Sequence, residues 1–189
     1  MKLPEPTRRG SGLFPTDLAL LGKPLDFISE DHLRERQVCA VIDALAGSAA
    51  FERQAALTVL RFVNEELNVH MRDEAEDLFP ILALRCKAED EIDRTIARIR
   101  GDLDEVSRLL PEVRASLSRC LDAGSELSPE EGAMLTRFAG HVRHHLVAEN
   151  AILLPIARAR LTRADLKMLS RRMRARRGLP SVGKDGNAE

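Results

Sequence analysis

Five histidines stand in the chain, at positions 32, 70, 141, 144 and 145. His70 and His145 are each followed four residues later by a glutamate, Glu74 and Glu149. Each glutamate is followed by a leucine-containing proline stop, "LFP" at 78–80 and "LLP" at 153–155. On a helix, residues four apart share one face about 6 Å apart along the axis. His70 and Glu74 therefore point the same way, as do His141, His145 and Glu149. The second set lies on a line that is otherwise apolar: Met134, Phe138, His141, His145, Glu149, Ile152, Ile156. A carboxylate in a dry interior persists only if it is paired or metal-bound. Imidazole with carboxylate suits Fe, Mn or Zn, whereas an all-oxygen set would suit Mg or Ca. Carboxylates from facing helices can each bridge two metals while histidines hold the outer positions, as in dinuclear sites of bundle cores.

The elements that must position these groups read as helices throughout, since apolar residues recur at intervals of three and four and no strand-like alternation occurs. The first helix is predicted from about Pro24 to Ala46, with the inner line Leu25, Ile28, His32, Glu35, Cys39, Ile42, Ala46. A second runs from about Phe51 to Phe79, where Pro80 stops or kinks it. A third runs from about Ala88 to Leu121, bent at Pro111 and apolar along its whole inner line. A fourth starts at the Ser128 cap, with Pro129 in its first turn and Glu131 closing a capping box, and reaches about Ala159. A shorter fifth helix begins at the cap pair Thr162 and Asp165. The expected fold is all-α, an up-down-up-down four-helix bundle over 24–160. An irregular arm (1–23), a C-terminal helix (161–178) and a disordered polar tail (179–189) complete it.

The two halves resemble each other. "HMRDEAEDLFP" (70–80) and "HLVAENAILLP" (145–155) share His, Glu, Leu and Pro at equal offsets. His32 lies 38 residues before His70, and Leu103 lies 42 before His145, so Leu103 takes the place in the second half that His32 holds in the first.

With "DH" at 31–32, "HxxxE" at 70–74 and "HxxxE" at 145–149, residues 24–160 resemble the hemerythrin-like HHE cation-binding family. That resemblance implies a four-helix bundle around two iron ions, with an oxo or hydroxo bridge. It also implies a role in binding O2 or NO, or in sensing redox state or iron. By position, His32, His70 and His145 become terminal ligands and Glu74 and Glu149 bridging carboxylates. The family's third-helix histidine falls on Leu103, which leaves a ligand missing. Glu35, one turn after His32, and His141, one turn before His145, are the expected compensating ligands, with Glu66 in reserve. Mn or Zn would also accept this set. The alternatives on the same bundle are an oxidative enzyme, peroxidase- or ferroxidase-like, and an interaction scaffold with one metal or none.

Composition narrows the remaining choices. Among 189 residues there are six Phe but no Trp or Tyr, so neither a phenolate ligand nor a tyrosyl radical is available. Cys39, Cys86 and Cys120 form no CxxC, which excludes a zinc knuckle or thioredoxin-type pair. A net charge of −1 offers no global field for nucleic acid or an anionic membrane. The N-terminus lacks an apolar signal core and no run approaches the ~20 apolar residues needed to span a bilayer, so a cytoplasmic protein is expected. The run "RRMRARR" (171–177) reads as a solvated helix end rather than a nucleic-acid site. Asp73 and Glu76 are expected at the surface of the second helix, His144 off the inner line in solvent or behind a ligand, and Cys39 to be a small buried residue.

Overall fold

The computed structural model of the chain describes residues 14–180, which are helical with no strand among them. Helix α1 (Pro24–Gly47) begins with its proline in the first turn, where the missing N–H costs nothing. Its buried face includes Leu25, Ile28, His32, Glu35, Cys39 and Ile42, as the periodicity predicts. Before it, a 3-10 turn (Leu18–Gly22) places Leu21 in the core. The rest of the predicted arm, residues 1–13, lies outside the described residues, as do residues 181–189 of the predicted tail. Leu179 packs against the core.

Helix α2 (residues 53–85) does not stop at Pro80. It consists of α-helical stretches Arg53–Arg61, Leu67–Asp73 and Phe79–Arg85, joined by π turns Phe62–Glu66 and Glu74–Leu78. In a regular helix Pro80 would remove a hydrogen bond and clash with the preceding turn. Here the Phe79 N–H reaches back five residues to the Glu74 carbonyl, and the proline follows that widened turn. Helix α3 (Ile92–Ala123) passes through Pro111 unbroken and ends at Gly124, whose φ of 61° suits a residue without a side chain.

Helix α4 (residues 129–160) starts at the Ser128–Glu131 capping box. It repeats the device of α2, with a π turn at Glu149–Leu153 placed just before Pro155. Helix α5 (Arg163–Arg176) is capped by Thr162 and Asp165.

The helices pack as a bundle in which α4 contacts both α1 and α3, and α2 contacts both as well. Asp26 pairs with Arg158 at 2.8 Å and Asp43 pairs with Arg143, so the start of α1 meets the end of α4. Arg53 donates to the Leu121 carbonyl at 2.8 Å and Arg114 to that of Val63 at 2.9 Å, tying α2 to α3. At Gly132 the helices come so close that a β-carbon would sit 3.1 Å from the Ala46 carbonyl oxygen.

Two apolar clusters fill the interior. One holds Val38, Ile42, Val63, Leu67, Val106, Phe138 and Leu146, and the other Ile28, Leu78, Phe79, Ile99, Leu103, Leu153 and Leu154. Along α1, α2 and α4 the switch between clusters falls at the segments carrying His32, Glu35, His70, Glu74, His145 and Glu149. A polar layer is thus sandwiched between two dry ones, and α3 brings the buried apolar residues Leu103 and Val106 to the two clusters that flank it. No helix among the described residues is long and apolar enough to cross a membrane.

Candidate metal centre

Six of the seven side chains singled out by their spacing meet in this layer. His32 Nε2 lies 3.5 Å from Glu74 Oε1 and 3.4 Å from Glu149 Oε2. His70 Nε2 is 3.1 Å from Glu35 Oε1 and 3.3 Å from Glu74 Oε1. His145 Nε2 is 3.7 Å from the other Glu35 oxygen and 3.9 Å from Glu149. All six residues are at most 1% exposed. Three helices contribute a pair each: α1 gives His32 and Glu35, α2 gives His70 and Glu74, and α4 gives His145 and Glu149. Two overlapping groups have ligand atoms close enough to share an ion: His32, His70, Glu74 and Glu149, and Glu35, His70 and His145.

The glutamates of α2 and α4 open the two π turns that precede the prolines. Such turns inside helices recur at functional sites, because one extra residue per turn redirects the side chains around it. The spacing "HxxxE…P" thus encodes both the ligand pair and a local widening of the helix.

Outside the layer, two of the three imidazoles are held by their other nitrogen. His70 Nδ1 donates to Asp31 Oδ2 at 3.0 Å, and the second Asp31 oxygen accepts from Thr16 Oγ1 at 2.6 Å. His145 Nδ1 faces the His141 backbone carbonyl at 3.3 Å. A proton fixed on Nδ1 leaves the Nε2 lone pair directed at the cluster, as metal-binding histidines require.

The electrostatics show how badly the layer tolerates its own charges. Burial pushes the Glu35 carboxyl up to about 8. Burial and the neighbouring Glu74 also push Glu149 well above the carboxylate range. Burial would raise Glu74 too, but His70 and His32 hold it well below its ordinary value. Burial would lower His70, yet Glu35, Glu74 and Asp31 raise it well above an ordinary imidazole. His145 is driven down to about 4, chiefly by burial.

Hydrogen bonding tests whether a cation fits. The buried side-chain atoms without a hydrogen-bond partner include both oxygens of Glu35, Glu74 and Glu149, both nitrogens of His32, and Nε2 of His70 and His145. Buried polar atoms are almost always satisfied, and an unsatisfied one costs about 1–3 kcal/mol. Their concentration in one layer, on donor types that bind first-row metals, fits a cation as the common partner.

A family model for the hemerythrin HHE cation-binding domain matches residues 23–157. The chain belongs to this hemerythrin family. Cation binding follows at that level, on the buried His/Glu cluster just described. No curated protein matches the chain.

Several sequence expectations need correction. His141 does not join the cluster: its ring is 35% exposed and Nδ1 pairs with Asp102 at 3.1 Å. Helical geometry explains the shift: each step of four residues drifts about 40° around the axis, so His141, two such steps before Glu149, turns to the α3 side, where Asp102 meets it. Glu66, the reserve candidate, forms an ion pair with Arg34 at 3.0 Å and stays outside. Asp73, expected at the surface, is fully buried against Arg176 and Arg177. Arg176 and Arg177 of the 171–177 run are likewise paired rather than solvated, and Arg172 pairs with Asp77 while staying half exposed. Glu76 and His144 do lie at the surface, and Cys39 is buried with its thiol pushed up to about 12 by burial.

Sequence reading missed Asp31 and Thr16. The signal for Asp31 was present: it precedes His32, about 100° around the helix, on the side that faces α2.

Proposed function

We propose that this hemerythrin-family protein holds a non-haem di-iron centre in an up-down-up-down four-helix bundle and uses it to bind O2 or NO, or to sense redox state or iron. His32, His70 and His145 serve as terminal ligands, Glu74 and Glu149 as bridging carboxylates, and Glu35 as the group that compensates for Leu103. The observation that carries this reading is the buried layer of six donor residues whose inward atoms lack any hydrogen-bond partner. When bound, iron would supply an open coordination position for a diatomic ligand and the capacity to change oxidation state. The chain's own residues supply the rest. Asp31 and the His141 carbonyl orient imidazoles, and the apolar layers above and below exclude water. A cleft of about 580 Å³ between α2 and α3 borders the turn of His70 and Glu74. It is lined in part by Met71, Ala75 and Leu103, and it gives a small molecule an approach on the side where α3 offers no ligand.

A second reading, an oxidative enzyme of peroxidase or ferroxidase type, draws on Glu35. Its carboxylate lies between His70 and His145, and the resulting three-carboxylate set favours higher oxidation states of iron over reversible carriage. A cytoplasmic location is part of the same proposal, resting on free thiols suited to a reducing compartment.

Elemental analysis of anaerobically purified protein, followed by exposure to O2 and to NO, tests these readings together. The di-iron reading expects about two irons per chain and a visible absorption that changes with the gas. Protein that takes up no ferrous iron anaerobically would refute it. Net consumption of peroxide or ferrous iron that is lost in Glu35→Ala selects the enzyme instead.

A further inference from the structure

The arginine run has no place among the donor residues, yet three of its side chains end on the helix that carries His70 and Glu74. Arg176 is 9% exposed at its side chain and reaches three carboxylates. Its Nη1 pairs with Asp73, and its Nη2 with Asp77 at 2.7 Å and Glu76 at 3.0 Å. Arg177 takes the other Asp73 oxygen at 2.6 Å, and its guanidinium stacks 4.8 Å from the Phe27 ring centre of α1. Arg172 pairs with Asp77 at 2.7 Å. Asp73 and Asp77, both buried, therefore receive two arginines each.

Their positions relative to Glu74 give the arrangement its meaning. Asp73 is the last residue before the π turn Glu74–Leu78, and Asp77 lies within it. A π turn holds one residue more than an α turn, and losing that residue would rotate the flanking side chains by about 100°. Arginine forks fastened on both sides of Glu74 resist such a slip, because each fork fixes direction as well as distance. The beneficiary is the Glu74 carboxylate, which must face His32 and His70.

Helix α5 is anchored well enough to serve as the fixed end. Leu169 and Met173 are buried in the same apolar cluster as Leu78 and Phe79. Ser170 Oγ donates to the Leu21 carbonyl at 2.6 Å, and Asp165 pairs with Arg85 at 2.9 Å. All of α5 lies beyond residues 23–157, the stretch that matches the family.

We propose that α5 is a clasp on the metal centre: Arg172, Arg176 and Arg177 position Glu74 through Asp73 and Asp77, so that metal loading and docking of α5 are coupled. The proposal rests on the metal-binding reading above. The arginines are positioning residues. Coupling between two equilibria is reciprocal, so whatever affinity α5 lends to the metal, the metal returns as tighter docking of α5. A loaded and an unloaded centre would then differ at a surface helix, where a partner can detect the difference. The sign of the effect separates this from simple charge. Removing a nearby cation should by Coulomb attraction alone tighten the binding of a metal ion, whereas losing a clasp should weaken it.

The test titrates full-length protein with Co2+ anaerobically, following the visible spectrum. The variants are Arg176→Gln, Arg176→Lys, and Leu117→Ala, the last of which loosens the core in the far apolar cluster. Arg176→Gln should weaken Co2+ binding by about tenfold or more and alter the spectrum, Arg176→Lys should recover part of the affinity, and Leu117→Ala should leave the spectrum unchanged. In hydrogen exchange, α5 amides should slow about tenfold on loading the unmutated protein and not in Arg176→Gln. If Arg176→Gln does not fold, Arg172→Gln removes the second arginine on Asp77 at a half-exposed side chain, with the same change of charge, and should give a smaller loss in the same direction. Unchanged or tighter Co2+ binding in these arginine-to-glutamine variants, or α5 exchange indifferent to metal, overturns the clasp alone. Unmutated protein that takes up no Co2+ overturns the metal reading together with it.

Discussion

The metal-free protein should lose stability as pH rises through neutrality, and Glu35 sets the size of the loss. Its carboxyl is held protonated up to about 8 in the folded chain, against 4.5 for an ordinary glutamate. Between those values the folded state keeps a proton that the unfolded state releases, so stability falls as pH rises. At about 1.36 kcal/mol per pH unit, the gap is worth on the order of 5 kcal/mol by pH 8, an upper bound because ionisation draws water into the layer. Glu149 and His70, both raised, act with the same sign. His145, lowered to about 4 from 6.5, works in the other window, costing stability as pH falls below 6.5. Metal-free protein should thus be most stable in mild acid. Between pH 5.5 and 8 about 3 kcal/mol of the Glu35 contribution is lost, which for a chain of this size lowers the melting temperature by roughly 6–12 °C. Glu35→Gln keeps the shape without the ionisation, so at pH 8 the metal-free variant should melt above the unmutated protein while binding metal less well. Thermal denaturation of chelator-treated protein across pH, with and without Mn2+, measures both. A melting temperature flat or rising from pH 5.5 to 8, with no gain from Glu35→Gln, would refute the premise that uncompensated charge dominates this layer.

Glu74→Ala should abolish metal uptake, while Asp31→Asn, which leaves every donor in place, should weaken it about 10–100-fold by releasing the His70 ring; equilibrium dialysis distinguishes the two. His141→Ala should leave metal stoichiometry unchanged, since the side chain lies on Asp102 and outside the layer. Leu103→His, which installs on α3 the imidazole that α1 carries at His32, should raise affinity for the weaker ion, seen as a steeper second phase in a Co2+ titration. Loading at pH 7 in weak buffer should release protons, because the raised groups Glu35, Glu149 and His70 must give theirs up to bind.

The architecture was legible because helical periodicity and caps are local properties. Pro24, Ser128 with Glu131, and Thr162 with Asp165 mark helix starts in the sequence and do so in the structure. Six donor residues were legible for a related reason: a polar residue on an apolar line has to be explained by something across the interior. The misreadings share a different cause. Straight helical counting cannot see a π turn, so α2 seemed to end at Pro80; treating every fourth residue as one face also ignores a drift of about 40° per step, so His141 seemed to face inward. Ion pairs between distant segments leave no local trace either, so Asp73 and the 171–177 run were assigned to solvent although Asp73 is the partner of Arg176 and Arg177.

The second half of the chain differs from the first in more than Leu103; the support behind its remaining imidazole differs as well. In the first half, Asp31 next to His32 reaches across to His70. In the second half, Asp102 next to Leu103 meets His141 at 3.1 Å and His144 at 2.9 Å on the outer side of α4, leaving His145 only a backbone carbonyl. A carboxylate behind an imidazole raises its basicity more than a carbonyl does. Two cations in this layer would therefore be held unequally, the stronger position lying towards His32 and His70. The cleft opens beside Leu103, on the side of the missing imidazole. An exogenous ligand gains most where the protein supplies fewest donors, so on the di-iron reading proposed above the open position would fall at the end where Leu103 offers no ligand.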